Sequence, residues 1–107
     1  VLAFTSTDPQ AVQIDHVVSL SDAWSSGAWQ WSPDRREQFA NSAQNLLAVD
    51  GPTNQAKGDK NAAQWLPETA AGRCLMVKTQ IQVKTDWQLT VTDRERAAMR
   101  KVLAGCS

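Results

Sequence analysis

His16 is the only histidine of the chain, and it directly follows Asp15 at the end of the strand-like run Val12-Gln13-Ile14. A positioned imidazole can remove a proton near neutral pH, because its unperturbed pKa lies close to that range. A carboxylate oxygen beside it is a good ligand for a hard cation. The pair therefore predicts a general base next to a metal ligand. Because neighbouring side chains of a strand point to opposite faces, one site can use both only where the strand ends.

Each candidate residue also has an ordinary structural explanation. A single histidine is more often a hydrogen-bonded structural residue than a base, and a single aspartate more often occupies a turn or a helix cap. Asn45 and Asn54 are common residue types for such positions. A shared site is indicated only by their order, which is Asp15-His16, then Asn45-Leu46, then Asn54 followed by Lys57-Gly58-Asp59.

Two short strands and a short helix would position these residues. The strands are predicted at Ala11–Val18 and Leu46–Val49, where apolar and β-branched residues are concentrated. Thr53 is the predicted N-cap of the helix that carries Asn54 and Lys57. Residues three apart share a helix face, so Lys57 is expected beside Asn54.

The rest of the chain is predicted to be mainly helical. The further elements are a strand at Val1–Phe4, a helical insertion over residues 20–43, a helix from Thr69 to about Lys84, and a last helix opened by the capping box of Thr92 and Glu95. The expected fold class is α+β, with two C-terminal helices. Five tryptophans are expected to build the core, with at most one or two of them exposed near the site.

Composition and charge limit the classes of partner. A chain of 107 residues can bury one modest core, which predicts a single domain. No apolar run approaches the roughly 20 residues of a membrane span, so we expect no membrane partner. The formal net charge is zero, yet residues 1–56 carry two basic against six acidic residues and residues 57–107 carry nine against five. An acidic half that could bind a divalent cation and a basic half that could contact phosphates would suit a nuclease.

Cys74 and Cys106 are the only two cysteines, and both fall in predicted helices. A disulfide between them would contribute about 3–4 kcal/mol in the chain-entropy model and would indicate an oxidising compartment. The alternative is a pair of buried free thiols in a cytosolic protein.

The order of the motifs resembles the His-Asn-His (HNH), or ββα-metal, endonucleases, in the variant whose last motif residue is asparagine. The likeness is greatest to secreted bacterial members, and it covers residues 12–106. Asn54 stands where many members have histidine, and Ser19 where many have proline. Those members usually carry a further segment, so residues 1–107 are expected to be one HNH nuclease-like domain forming the C-terminal part of a longer protein.

The resemblance implies a role for each motif residue. Asp15 and Asn54 would hold one divalent metal ion, Mg²⁺ or Mn²⁺, since a carboxylate and an amide oxygen are hard donors. His16 would be the general base, and Asn45 would hold the local backbone that orients it. The predicted contacts to substrate phosphate are Lys57, Lys60, Arg35 and Arg36.

The function that the resemblance implies is a metal-dependent endonuclease. The expected substrate is DNA ahead of RNA, hydrolysed with little sequence specificity to leave a 5′-phosphate. The protein would be secreted and of bacterial type, and an immunity or inhibitor protein would be a further partner that the sequence does not identify. The alternative function is a secreted, non-catalytic binding or interaction module on the same ββα scaffold.

Overall fold

A computed structural model describes residues 12–106. Its elements in chain order are β1 (Val12–His16), α1 (Leu20–Ser25), α2 (Pro33–Ala40), β2 (Leu46–Asp50), α3 (Gly51–Lys57), α4 (Ala70–Asp86) and α5 (Asp93–Ala104), with single 3₁₀ turns at Ala28–Gln30 and Ala43–Asn45. The predicted α+β fold is confirmed: a ββα unit, a helical insertion between its strands and two C-terminal helices. The strand predicted at Val1–Phe4 and the start of the one predicted at Ala11–Val18 lie outside the described residues.

The two strands pair antiparallel, with His16 opposite Leu46 and Val12 opposite Asp50. β1 ends at His16, two residues before the predicted end at Val18. The reason is that the backbone beyond His16 leaves the ladder, and its groups bond to side chains and to the 3₁₀ turn before β2. The strand end that the Asp15-His16 pair requires is therefore present.

Polar side chains start the helices, as the sequence indicates for most of them. Ser32 caps α2 with Pro33 in its first turn, and the Thr92 and Glu95 capping box opens α5. The predicted cap of α3 is wrong. Asp50 caps this helix instead, because its carboxylate accepts from the Thr53 N–H at 3.0 Å and from the Thr53 hydroxyl at 2.8 Å. An ionised carboxylate is a strong cap acceptor, and it places Thr53 inside the first turn.

Two apolar clusters form the core, and consecutive residues join them. Val18 packs in the first cluster with Phe39 of α2 and Val83 of α4. Val17 packs in the second with residues of α4 and α5, among them Met99. The backbone that follows His16 is therefore anchored on both sides by fully or almost fully buried valines.

The tryptophans divide between the core and the surface. Trp31 and Trp87 pack with Phe39 in the first cluster, and Trp65 packs against the second. Trp24 and Trp29 do not build the core, because they remain 50% and 57% exposed. In α1 the buried position is Ala23, so the next residue turns toward the surface.

A disulfide between Cys74 and Cys106 ties α4 to the segment just after α5, two residues beyond its end. The predicted bridge is present in the structure. Within residues 12–106, no helix has the length and apolar content to cross a bilayer.

Candidate functional site

Asp15 forms a buried ion pair with Lys57, the last residue of α3. The distance from Lys57 Nζ to Asp15 Oδ1 is 3.1 Å, and the two side chains are 4% and 9% exposed. The same ammonium donates to the His16 carbonyl at 2.8 Å. Lys57 therefore holds both the carboxylate and the backbone of the Asp15-His16 pair.

Burial sets the electrostatics of this carboxylate. Desolvation raises the pKa of Asp15 above its ordinary value of 3.8, and the neighbouring Lys57 ammonium opposes that rise without cancelling it. A second cation near Asp15 would stabilise the ionised form in the same way.

Asn54 lies on the same face of the ββα unit as Asp15. Its Nδ2 donates to Gln13 Oε1 at 2.7 Å. This hydrogen bond fixes the orientation of the Asn54 amide through its nitrogen, and the amide oxygen remains able to bind another group. Asp15, Asn54 and Lys57 line one cavity of about 130 Å³, whose wall is otherwise mostly apolar and includes Trp65 of the following loop. The structure thus brings together three of the predicted site residues.

His16 points elsewhere, as the strand alternation predicts. Its Nε2 lies 2.9 Å from the carbonyl oxygen of Ala40 at the end of α2, and it is not among the residues that line the cavity. A carbonyl oxygen only accepts hydrogen bonds, so Nε2 must carry the proton. The neutral ring then has its lone pair on Nδ1, which is the tautomer that a general base using Nδ1 requires.

Asn45 fastens the backbone just beyond His16. Its side chain is fully buried, and it accepts from the Val18 N–H at 2.7 Å and donates to the Val18 carbonyl at 2.9 Å. The Asn45 carbonyl also accepts from the Val17 N–H at 2.8 Å. This arrangement matches the predicted backbone-holding position of Asn45, while its effect on His16 stays a prediction.

Sequence reasoning missed two residues of the site. Gln80 of α4 donates from Nε2 to the Val17 carbonyl at 3.0 Å while 1% exposed, and Gln13 holds Asn54. Gln80 could have been noticed, because it falls three residues after Val77 on the buried face of α4. Nothing in the sequence around Gln13 indicated that it would contact a site residue.

The other predicted phosphate contacts lie away from the cavity. Arg35 is held between Trp31 and Trp87, at 4.6 and 4.8 Å from the ring centroids. Arg36 lies over Trp24 at 5.0 Å, and the Lys60 ammonium donates to the Ala56 carbonyl at 3.1 Å on the surface. Phosphate binding by these three residues and by Lys57 stays a prediction.

The donors at the cavity limit which metal could bind. Within the described part of the chain, no three histidine, cysteine, aspartate or glutamate side chains come together. One carboxylate and one amide oxygen fit a hard cation that keeps several waters, as Mg²⁺ does, and do not form a zinc site. The Asp15 carboxylate already binds the Lys57 ammonium, so a positive charge can be accommodated beside it.

Comparison with known proteins identifies the family. The chain is 41% identical over 104 residues to an uncharacterized secreted protein of Arthroderma benhamiae, and the match covers 95% of this chain and 51% of that protein. The chain thus spans about half the length of its relative. No solved structure matches it significantly. The model of the GmrSD restriction endonuclease C-terminal domain matches residues 3–102. The chain therefore belongs to the family of GmrSD restriction endonuclease C-terminal domains.

Proposed function

We propose that this protein is a metal-dependent endonuclease in which His16 is the general base. The observation that carries the proposal is the hydrogen bond from His16 Nε2 to the Ala40 carbonyl, because it presents Nδ1 as a proton acceptor at the end of β1. Membership of a restriction endonuclease family supports a phosphodiester substrate. A water molecule that gives its proton to Nδ1 becomes the nucleophile.

Asp15 and Asn54 would hold one Mg²⁺ or Mn²⁺ ion, which supplies positive charge at the scissile phosphate. Because these two residues and His16 lie on opposite faces of β1, the phosphate would sit at the strand end, where both faces are within reach. Asn45 and Lys57 would keep the carbonyls of Val18 and His16 in place during the reaction. For Lys57 to contact phosphate directly, its ammonium would have to leave Asp15.

The proposed substrate is DNA ahead of RNA, and the proposed product carries a 5′-phosphate. Lys60, Arg35 and Arg36 would contribute phosphate contacts. We infer an extracellular location, since the relative from Arthroderma benhamiae is a secreted protein and the Cys74–Cys106 bridge favours an oxidising compartment.

One observation favours the second candidate, a secreted binding module without turnover. The Lys57 ammonium neutralises Asp15, the only charged donor at the proposed metal position. A metal ion would have to compete with this ion pair, and a module that has lost catalysis could keep the pair as a structural bond.

Plasmid cleavage with and without a chelator distinguishes the two functions. His16→Ala should lower cleavage by about 10²- to 10⁴-fold while leaving Mn²⁺ binding and the fold intact, because only proton transfer is lost. Asn54→Ala should instead raise the metal concentration needed for half-maximal cleavage. Gln55→Ala is the matched control, since it removes an exposed amide from the same helix.

Calorimetric titration with Mn²⁺ completes the comparison. Wild-type cleavage by the His16 variant would exclude this residue as the base. No Mn²⁺ binding and no cleavage by the wild type would support the binding module.

A further inference from the structure

A groove between α1 and α2 lies outside the cavity of Asp15 and Asn54. It has a volume of about 200 Å³, and the side chains that matter for its chemistry are Leu20, Trp24, Trp31 and Arg36, with Ala40 at one end. We call it the Trp24 groove. It is mostly apolar and open at the surface.

Two large apolar side chains at this groove are about half exposed. Trp24 is 50% exposed and Leu20 is 47% exposed. An exposed tryptophan beside an exposed leucine is a feature of binding surfaces more than of ordinary protein surface. The groove therefore offers a flat aromatic ring to a ligand.

The charge at the groove selects the kind of ligand. The Arg36 guanidinium lies 5.0 Å from the Trp24 ring centroid, and among the described residues that line the groove it is the only charged group. The guanidinium lies over one face of the ring, so a ligand that combines a planar π-system with a negative charge would stack on the other face and place its charge at Arg36. A nucleotide has both.

The groove also adjoins the proposed general base. Ala40 lines the groove, and its carbonyl is the group that holds His16 Nε2 at 2.9 Å. Ala40 alone thus links the groove to the His16 side chain at the end of β1, where the proposed function places the scissile phosphate.

We propose that the Trp24 groove binds an unpaired nucleobase of the substrate strand, with the base stacked on Trp24 and a neighbouring phosphate at Arg36. This inference rests on the proposed function and adds a substrate class to it. The bases of a duplex are already stacked on each other and would have to be extruded to reach the ring. The preferred substrate is therefore single-stranded or locally unpaired nucleic acid.

Binding of a fluorescein-labelled single-stranded DNA oligonucleotide, followed by anisotropy in the presence of a chelator, tests the groove without hydrolysis. Trp24→Ala should weaken binding about 5- to 100-fold, the effect of losing one stacked base, and Trp24→Phe should recover most of it. Trp29→Ala is the matched control, because Trp29 is 57% exposed and does not line the groove. The same oligonucleotide annealed to its complement should bind less tightly than the single strand.

Several outcomes would overturn the groove proposal. These are no binding by the wild type, equal binding by wild type and Trp24→Ala, an equal loss in Trp29→Ala, or tighter binding of the duplex. Failure of the proposed function looks different: the single strand would bind through Trp24, yet no cleavage would follow when Mg²⁺ or Mn²⁺ is added.

Discussion

At the scale of single residues, Lys57 and Asp15 form the buried ion pair of the candidate site. Both side chains are almost fully buried, and the ammonium also satisfies the His16 carbonyl. The attraction between the two charges offsets only part of what Asp15 loses on leaving water, since its pKa stays raised, and either charge alone would be buried without any compensation. Removing one member of the pair is therefore expected to destabilise the ββα unit.

Lys57→Met should lower the free energy of unfolding by roughly 3–5 kcal/mol, because it leaves the Asp15 carboxylate buried without a partner. The double variant Asp15→Asn with Lys57→Met should recover part of that loss. Urea denaturation followed by circular dichroism measures both. Lys60→Met is the control, since the Lys60 side chain is exposed near the end of the same helix. Equal midpoints for the two lysine variants would contradict the buried-pair account.

The motif order, through the resemblance that it supports, predicted that Asp15 and Asn54 share a site, and helical spacing placed Lys57 beside Asn54. They could not show that Lys57 would bond to Asp15 rather than face the solvent. That outcome depends on how closely α3 packs against β1, and this distance cannot be read from the spacing of residues along the chain. For the same reason the bond from Gln80 to Val17, across 63 positions of the chain, could not be predicted.

At the scale of elements, Lys84 of α4 joins three helices through one buried ammonium. Nζ lies 3.1 Å from Asp22 Oδ1 of α1 and 2.8 Å from Glu95 Oε2 of α5, and it donates to the Thr90 carbonyl at 2.9 Å. The helical insertion is thereby tied to the C-terminal helix pair. The carboxylates of Asp22 and Glu95 share one ammonium, and they repel each other in this buried position.

The stability of this junction should depend on pH through Asp22. Burial raises the pKa of Asp22 above 3.8, with Glu95 adding to the rise and Lys84 opposing it. The folded protein therefore keeps a proton that the unfolded chain has lost, so the contribution to stability is complete below pH 3.8 and falls as pH rises through the folded pKa. The Tm of wild type minus that of Asp22→Asn should accordingly decrease from pH 3.8 toward neutrality.

Asp86 provides a control of opposite sign. Hydrogen bonds from Gln44 and Gln82 lower its pKa below 3.8, so its contribution is present above that pH and is lost as pH falls through the folded pKa. The Tm of wild type minus that of Asp86→Asn should increase toward neutrality. Parallel trends for the two variants in differential scanning fluorimetry would refute the assignment to Asp22.

Most helix and strand boundaries could be predicted from interactions between residues that are close in sequence. The caps at Ser32 and Thr92 and the helical periodicity of α4 act within a few residues, so the sequence predicts them. The start of α3 could not be predicted in this way, because Asp50 and Thr53 are both good N-cap residues and the choice between them depends on where β2 ends. The exposure of Trp24 and Trp29 was likewise decided by packing, since Trp31, Trp87 and Phe39 already fill that side of the core.

At the scale of the whole molecule, a net charge of zero predicts weak dependence of nucleic-acid binding on salt. If Lys60, Arg35 and Arg36 each contact one phosphate, the slope of log K against log[salt] for a single strand should be about −2.1. Anisotropy titrations at several NaCl concentrations measure it. Arg36→Gln should make the slope shallower by about 0.7, whereas Lys101→Gln, at an exposed position of α5, should leave it unchanged. A slope several times steeper would indicate an extended phosphate interface instead.

The long connection between the paired strands governs when the site can exist during synthesis. β1 carries Asp15 and His16, but its partner strand begins only at Leu46, and Gln80 of α4 is needed to hold Val17. A ribosome-bound chain that ends before α4 therefore lacks part of the site, and a chain held unfolded for export has no assembled site at all. The proposed nuclease activity can therefore appear only after α4 has been synthesised and the chain has folded.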